Sequence, residues 1–201
     1  METVIYTQRV EIVKDYGERR DCADQRIADY ILNCGFLPVP VPNKEELAAV
    51  YIETIKPVGI VLTGGNSLVA YEGNAPERDG MDKKLIELAV QYEIPVYGFC
   101  RGMQSILDYF GCKLQNVSGH VAVRHDIIYA NEKSNVNSFH NQACIKLEEN
   151  CGLEVVGRAQ DGVIEEIKHQ VLPIAGTMWH PEREAFYVEK DIKRIKELFK
   201  K

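Results

Sequence analysis

Four short apolar runs pace this chain: TVIYT from Thr3, VGIVLT from Val58, PVYGF from Pro95 and LPIAGTMW from Leu172. Each has the length of one strand, and the middle two are apolar almost throughout, so both of their faces must be covered. Between them lie segments whose apolar residues recur at helical spacing. CADQRIADYILNCG puts Ala23, Ile27, Tyr30 and Ile31 on one face and ends at Gly35. NKEELAAVYIETI is expected to be capped by Asn43, with acids in its first turn. MDKKLIELAVQY and RGMQSILDYFG, the latter closed by Gly111, complete the set, while FLPVPVP is extended and proline-limited. Buried strands alternating with helices give the α/β class: a doubly wound, mostly parallel, flavodoxin-like sheet with helices on both faces.

From about Cys112 the texture changes. VRHDIIYA, NVNSF, ACIKLE, LEVVGRA and GVIEEIKH are short and partly alternating, with Asn-Glu and Asp-Gly turn signals between them. They read as antiparallel hairpins added to the central sheet. A basic amphipathic helix closes the chain. With no repeat, low-complexity tract or linker, residues 1–201 are read as one domain.

Composition narrows the partners. A hydrophobic fraction of 45% and a charged fraction of 27% fit a soluble globular protein, and the net charge of −6 argues against a general nucleic-acid or anionic-membrane surface. METVIYTQRVEIV carries two acids and an arginine, so it is no signal peptide, and no window approaches the roughly 18 apolar residues of a membrane span. None of the six cysteines stands in a C-x-x-C pair. Free thiols, a cytoplasmic location and no metal site are therefore expected. His120, His125 and His169 have no evident partner and are assigned to loops or the surface. Cys112 and Cys151 read as packing residues, and Trp179 as core or as a wall beside His180.

The chemistry gathers around GFCRG, where Cys100 sits between Gly98 and Gly102 at the passage from strand to helix. Small residues two before and two after let the backbone arms of a tight turn pass closely, as in a nucleophile elbow. In a parallel sheet, functional groups collect at the carboxyl ends of the strands. There VLTGGN delivers Gly64 and Gly65, PVYGFC delivers Cys100, and the last strand delivers His180 and Glu182. A thiol needs a base to become thiolate, and His180 can supply one. Glu182 can orient the imidazole, and the N–H groups of Arg101 and Gly65 can receive an oxyanion.

The ordered set VLTGGN, NAPERD, IPVYGFCRGMQ, NSFHNQ and GTMWHPE resembles the class I glutamine amidotransferase family over about residues 1–190. The resemblance implies a Cys100–His180–Glu182 triad with oxyanion donors at Gly65 and Arg101, and Gly64 beside the substrate. It implies that Gln104 contacts a γ-glutamyl group, whose amino and carboxylate ends are held by the segment Asn137, Ser138, Phe139 and His140. The reaction implied is hydrolysis of a γ-glutamyl amide through a thioester, releasing glutamate with no metal or organic cofactor.

What leaves is the open question. The opening TQRV and YGERRD is similar to the γ-glutamyl-γ-aminobutyrate hydrolase-like branch, whose members release an amine larger than ammonia. The basic segment after the first strand offers Arg9, Arg19 and Arg20 to an anionic leaving group such as a cytidine diphosphate. Two alternatives stand: a glutaminase subunit feeding ammonia to a separate synthase, and a non-catalytic binding module on the same fold. The cysteine-elbow chaperone and deglycase families are set aside because they typically carry histidine where this chain has Arg101.

Overall fold

A computed structural model describes residues 1–129 and 132–200. The first half contains β1 (Thr3–Tyr6), β2 (Arg9–Ile12), β3 (Arg19–Cys22), α1 (Gln25–Asn33), β4 (Leu37–Pro40), α2 (Ala48–Ile55), β5 (Gly59–Leu62), α3 (Pro76–Tyr92), β6 (Val96–Phe99) and α4 (Arg101–Tyr109). The second contains β7 (Gln115–Asn116), β8 (Val121–Tyr129), β9 (Glu132–Phe139), β10 (Gln142–Ala143), β11 (Leu153–Ala159), β12 (Ile164–His169), β13 (Ile174–Thr177) and α5 (Glu189–Phe199).

The central sheet has nine strands in the order β4-β1-β5-β6-β13-β12-β11-β8-β9. From β4 to β13 the pairing is parallel, and from β13 to β9 it is antiparallel. The period-two alternation of the strands then sorts the core. Val4, Tyr6, Val61, Tyr97 and Phe99 face one way and meet Ile27, Tyr30 and Ile31 of α1 and Ile195 and Phe199 of α5. Ile5, Ile60, Leu62 and Val96 face the other way and meet Ile52 of α2, Met81, Leu85 and Ile86 of α3, and Met103, Ile106 and Leu107 of α4. This is the doubly wound α/β arrangement, with an antiparallel extension on one side.

Beyond the carboxyl ends of the parallel strands the chain is tied locally. Thr63 Oγ1 donates to the Thr7 carbonyl at 2.8 Å, and Thr7 Oγ1 accepts from Thr63 N–H at 3.1 Å. Cys100 N–H donates to the Thr177 carbonyl at 2.7 Å. These bonds bring the ends of β1, β5, β6 and β13 to one level, where their loops converge.

Several expectations are corrected. Asn43 does not cap a helix: it is buried, and its side-chain amide donates to Asp21 at 2.6 Å and to the Gln8 carbonyl at 3.1 Å. The turn that follows is a short 3₁₀ stretch, Glu45–Leu47, flanked by Lys44. Helix α3 begins at Pro76 rather than Met81; proline suits the first helical position, and Glu77 and Asp79 favour the first turn electrostatically. The basic N-terminal segment is an antiparallel hairpin of β2 with β3, and of ACIKLE only Ala143 lies in a strand, the end of Gln142–Ala143, which pairs with β7. Of the Asn131–Glu132 turn signal, residue 131 lies outside the described residues and Glu132 begins β9. His120 is buried rather than on the surface, and His125 is half-buried. Trp179 is core: it is 1% exposed, packs with Ile127 and Val136, and its indole N–H reaches Asp191 Oδ1 at 3.3 Å. Among the described residues no helix is long and apolar enough to cross a membrane.

The closest approach in the fold is made by glycines. A Cβ on Gly98 would lie 2.6 Å from the Gly102 carbonyl carbon, and one on Gly102 would collide with the Leu62 carbonyl. Gly102→Ala is therefore expected to lower unfolding free energy by about 2 kcal/mol or more, as overpacking against backbone does. A urea unfolding midpoint equal to that of the parent chain would contradict this packing account.

Candidate active site

Cys100 stands at the turn from β6 into α4 with φ 51° and ψ −112°. A non-glycine residue held there carries backbone strain of about 1–3 kcal/mol, a cost that persists only where the surroundings enforce it. The enforcement is visible: the Cys100 N–H is bound to Thr177, and the Gln104 N–H reaches the Cys100 carbonyl at 3.1 Å. Arg101 opens the helix, so its own N–H has no acceptor within α4. Its side chain turns away into the core, 1% exposed, bound to Asp82 and to Asp79 Oδ1 at 2.5 Å. Arg101 thus fastens α4 to α3 with its guanidinium while its backbone faces the turn.

The loop after β5 is shaped by Arg78, a fully buried residue of α3. Its guanidinium takes the Thr63 carbonyl at 2.7 Å, the Gly64 carbonyl at 2.9 Å and the Gly65 carbonyl. Three successive carbonyls are thereby turned toward α3, and the loop's peptide planes are fixed. Gly65 has φ +89°, which favours glycine, and a Cβ on Gly64 would sit 2.5 Å from His180 Cε1.

His180 is 2% exposed, and its Nδ1 lies 2.7 Å from Glu182 Oε1, itself 1% exposed. Phe99 and Phe139 meet the ring edge-on, each with centroids 5.7 Å away. The Asn137 side chain clamps the His180 backbone twice, donating to its carbonyl at 2.8 Å and accepting from its N–H at 3.0 Å. Burial alone pulls the imidazolium pKa down. Cys100 beside it and the Glu182 carboxylate outweigh that and push it up to about 9.

Two cavities of about 280 Å³ each open on either side of His180 and share Gly65 and Arg183. The first, lined by Arg9, Glu11, Cys22, Asp24, Thr63 and Gly64, also touches Glu182. The second is lined by Cys100, Arg101, Gln104, Phe139, His140 and Gln142. Gln104 Nε2 donates to the Gln142 carbonyl at 2.8 Å, tying the helix to that wall.

The sequence-derived candidates thus fall into three groups. Cys100, His180, Glu182, Gly64, Gly65, Arg101, Gln104, Phe139, His140 and Arg9 all line one or both cavities. Asn137 and Ser138 lie behind the wall, Asn137 on His180 and Ser138 Oγ on the His120 carbonyl at 2.7 Å. Arg19 and Arg20 line neither cavity. Arg19 binds Glu77 Oε1 at 2.6 Å and the Asn74 carbonyl at 2.9 Å, and Arg20 binds Glu18 at 2.6 Å and Tyr16 at 2.9 Å. Arg183 and Arg78 were not singled out by sequence. Arg183 lines both cavities, its guanidinium 4.7 Å above the Phe139 ring; its one sequence signal is its place directly after HPE.

The chain is similar to known proteins over most of its length. The family Glutamine amidotransferase class-I matches residues 18–192. A gamma-glutamyl-CDP-amidate hydrolase of Campylobacter jejuni is 36% identical over 183 residues, which cover 89% of this chain and 88% of that protein. A glutamine-hydrolyzing GMP synthase subunit of Pyrococcus abyssi is 30% identical over 151 residues, 71% of this chain and 74% of that one. The crystal structure of a putative GMP synthase subunit from Thermoplasma acidophilum superposes with a TM-score of 0.73 at 18% identity, covering 99% of this chain and 93% of that chain. It shares the fold.

The raised pKa has a direction that can be measured. His180 at about 9 lies above its ordinary 6.5, so its ion pairs stabilise the fold fully below pH 6.5 and lose that contribution as pH rises through about 9. Cys100→Ser and Glu182→Gln each remove one stabilising partner and are expected to lower the His180 pKa, read by NMR titration of the ring. An unshifted titration in both variants would contradict the assigned causes.

Proposed function

The chain belongs to the class I glutamine amidotransferase family, and we propose that within it the protein is a stand-alone hydrolase of a γ-glutamyl amide. One observation carries the reading: the buried His180–Glu182 pair at 2.7 Å, set against a cysteine whose backbone is held at φ 51°. In this reading the Cys100 thiolate attacks the γ-carbonyl, and the N–H groups of Gly65 and Arg101 donate to the oxyanion. The His180 imidazolium gives its proton to the departing nitrogen, leaving a γ-glutamyl thioester. His180, now neutral, takes a proton from water; the hydroxide displaces the sulfur, and L-glutamate leaves with the thiolate restored.

The acyl part is assigned to the cavity of Gln104, Phe139, His140 and Gln142, and the leaving group to the cavity of Arg9 and Arg183. The preferred substrate is γ-glutamyl-CDP-amidate, the compound in the name of the Campylobacter relative, giving CDP-amidate for capsule phosphoramidate synthesis. Of the three arginines first considered for the diphosphate, Arg9 is assigned that contact. Arg19 and Arg20, engaged with their own partners, are assigned to holding the hairpin. Arg9 itself pairs with Glu11 on an exposed edge, so an incoming diphosphate has only a solvated ion pair to replace.

The Pyrococcus relative supports a second reading, in which the chain releases ammonia from glutamine for a separate synthase. Glutamate release by the purified chain separates the two. Rapid turnover of γ-glutamyl-CDP-amidate with little of L-glutamine is expected, and glutamine turnover that rises only when a synthase is added would favour the second reading. Cys100→Ala should lower turnover at least about 10⁴-fold; activity surviving it would remove the mechanism. Arg9→Ala should raise KM for the nucleotide substrate about tenfold and leave KM for glutamine within about twofold. kcat/KM should fall as pH rises through about 9, where His180 loses its proton.

A further inference from the structure

Four side chains outside the cysteine turn converge behind the wall of the acyl cavity. His120 precedes β8, His125 lies within it, His140 follows β9, and Glu165 lies in β12. His120 Nδ1, His125 Nε2 and His140 Nε2 stand 3.3, 3.5 and 3.2 Å from a single oxygen, Glu165 Oε1. Glu165 is 0% exposed, and both of its oxygens lack a hydrogen bond of acceptable geometry. His120 Nδ1, His125 Nε2 and both His140 nitrogens are equally unpartnered. A carboxylate and three imidazoles buried with their polar atoms aimed at one another and unsatisfied is costly unless something sits among them.

We propose that His120, His140 and Glu165 hold one divalent cation, zinc by the nature of the donors, with His125 beside them on the same Glu165 oxygen. Zinc bonds to nitrogen and oxygen of about 2.0–2.2 Å imply donor-to-donor edges of about 3.3–3.6 Å in a tetrahedron. The His120 and His140 edges that meet at Glu165 Oε1 are close to that length. The donor atoms of His120, His140 and Glu165 all lie within 4.8 Å of one another. The outer shell is also built: His120 Nε2 lies 2.8 Å from Asp161 Oδ2, which leaves Nδ1 its lone pair for a metal. A cation among these groups also neutralises the buried carboxylate. His120, His125 and Asp161 line a separate cleft of about 460 Å³, which gives an ion a route in from solvent.

With three protein donors the ion keeps one position for water, and it lies behind the cavity wall rather than at the cysteine. Its place gives it a consequence for binding. His140 lines the Cys100 cavity, and the Glu165 carbonyl accepts from Met178 N–H at 2.8 Å, two residues before His180. The ion thus fastens β8, the end of β9 and β12 behind the residues assigned to the acyl group. The metal site stands on its own geometry and does not depend on the proposed reaction.

The test uses the full chain, free of any affinity tag, as Cys100→Ser so that the thiol cannot bind metal. Metal analysis should find about one zinc per chain, falling below about 0.1 in Glu165→Gln and His120→Ala, with Asp161→Asn weakening affinity about 10-fold to 100-fold. Because those variants can misfold, the unmutated site is also loaded with Co²⁺ after chelation. Intense tetrahedral visible bands and a Tm restored by Zn²⁺ are expected, and the metal-stripped native chain should show a raised KM for its γ-glutamyl substrate. Less than about 0.1 equivalent of zinc after supplementation, with a Tm indifferent to added Zn²⁺, would overturn the proposal. So would zinc retained in full by Glu165→Gln, or cobalt bound only with octahedral spectra.

Discussion

Helix α4 can lie where it does only because the chain around it gives up side chains. Gly98 and Gly102 bring the strand and helix arms of the cysteine turn into contact, and Gly102 also rests on the Leu62 carbonyl of β5. Gly176 of β13 continues the same layer: a Cβ there would come 2.9 Å from the Gly98 carbonyl oxygen and 3.1 Å from Met103. The price is the greater conformational freedom that glycine loses on folding. In return Cys100 is pressed against the Thr177 carbonyl, and the positions of Gly64 and His180 follow from that tight crossing.

A second constraint is electrostatic and works from beneath. Arg78 and Arg101 are both buried and point in different directions, one into a bouquet of carbonyls and the other into Asp79 and Asp82. A buried guanidinium is tolerable only when its donors are satisfied, so each fixes what surrounds it. Arg78 sets the orientation of the Gly64–Gly65 loop, and Arg101 sets the seat of α4. The two arginines thereby fix the loop and the helix that flank Cys100 and His180.

Much of this was legible from sequence because it rests on local rules. Apolar runs and helical spacing gave the alternating strands and helices, and glycines two residues either side of Cys100 gave the turn. What was not legible depends on distant partners. Asn43 looks like a cap until Asp21, 22 residues earlier, is brought beside it. The start of α3 lies five residues before the helical spacing read from Met81, at Pro76, which suits a first helical position. Arg19 and Arg20 look available for a ligand until Glu77 and Tyr16 are seen to engage them. The histidines were unreadable because a metal-like cluster assembled from β8, β9 and β12 follows no short spacing. Its carboxylate, Glu165, lies 25 residues from the nearest of them in a strand that is otherwise ordinary.

The clamp of Asn137 on His180 joins places that the strand order keeps far apart. β9 is the outermost strand of the antiparallel side, and β12, β11 and β8 stand between it and β13. Contact between Asn137 and the residue after Trp179 therefore requires the sheet to coil until its free edge comes back over its middle. An edge strand is ordinarily the first part of a sheet to fray. Here fraying would release His180 and dismantle the Phe139–Gln142 wall in one event. The cavity wall and the buried histidine thus belong to a single cooperative unit of the sheet.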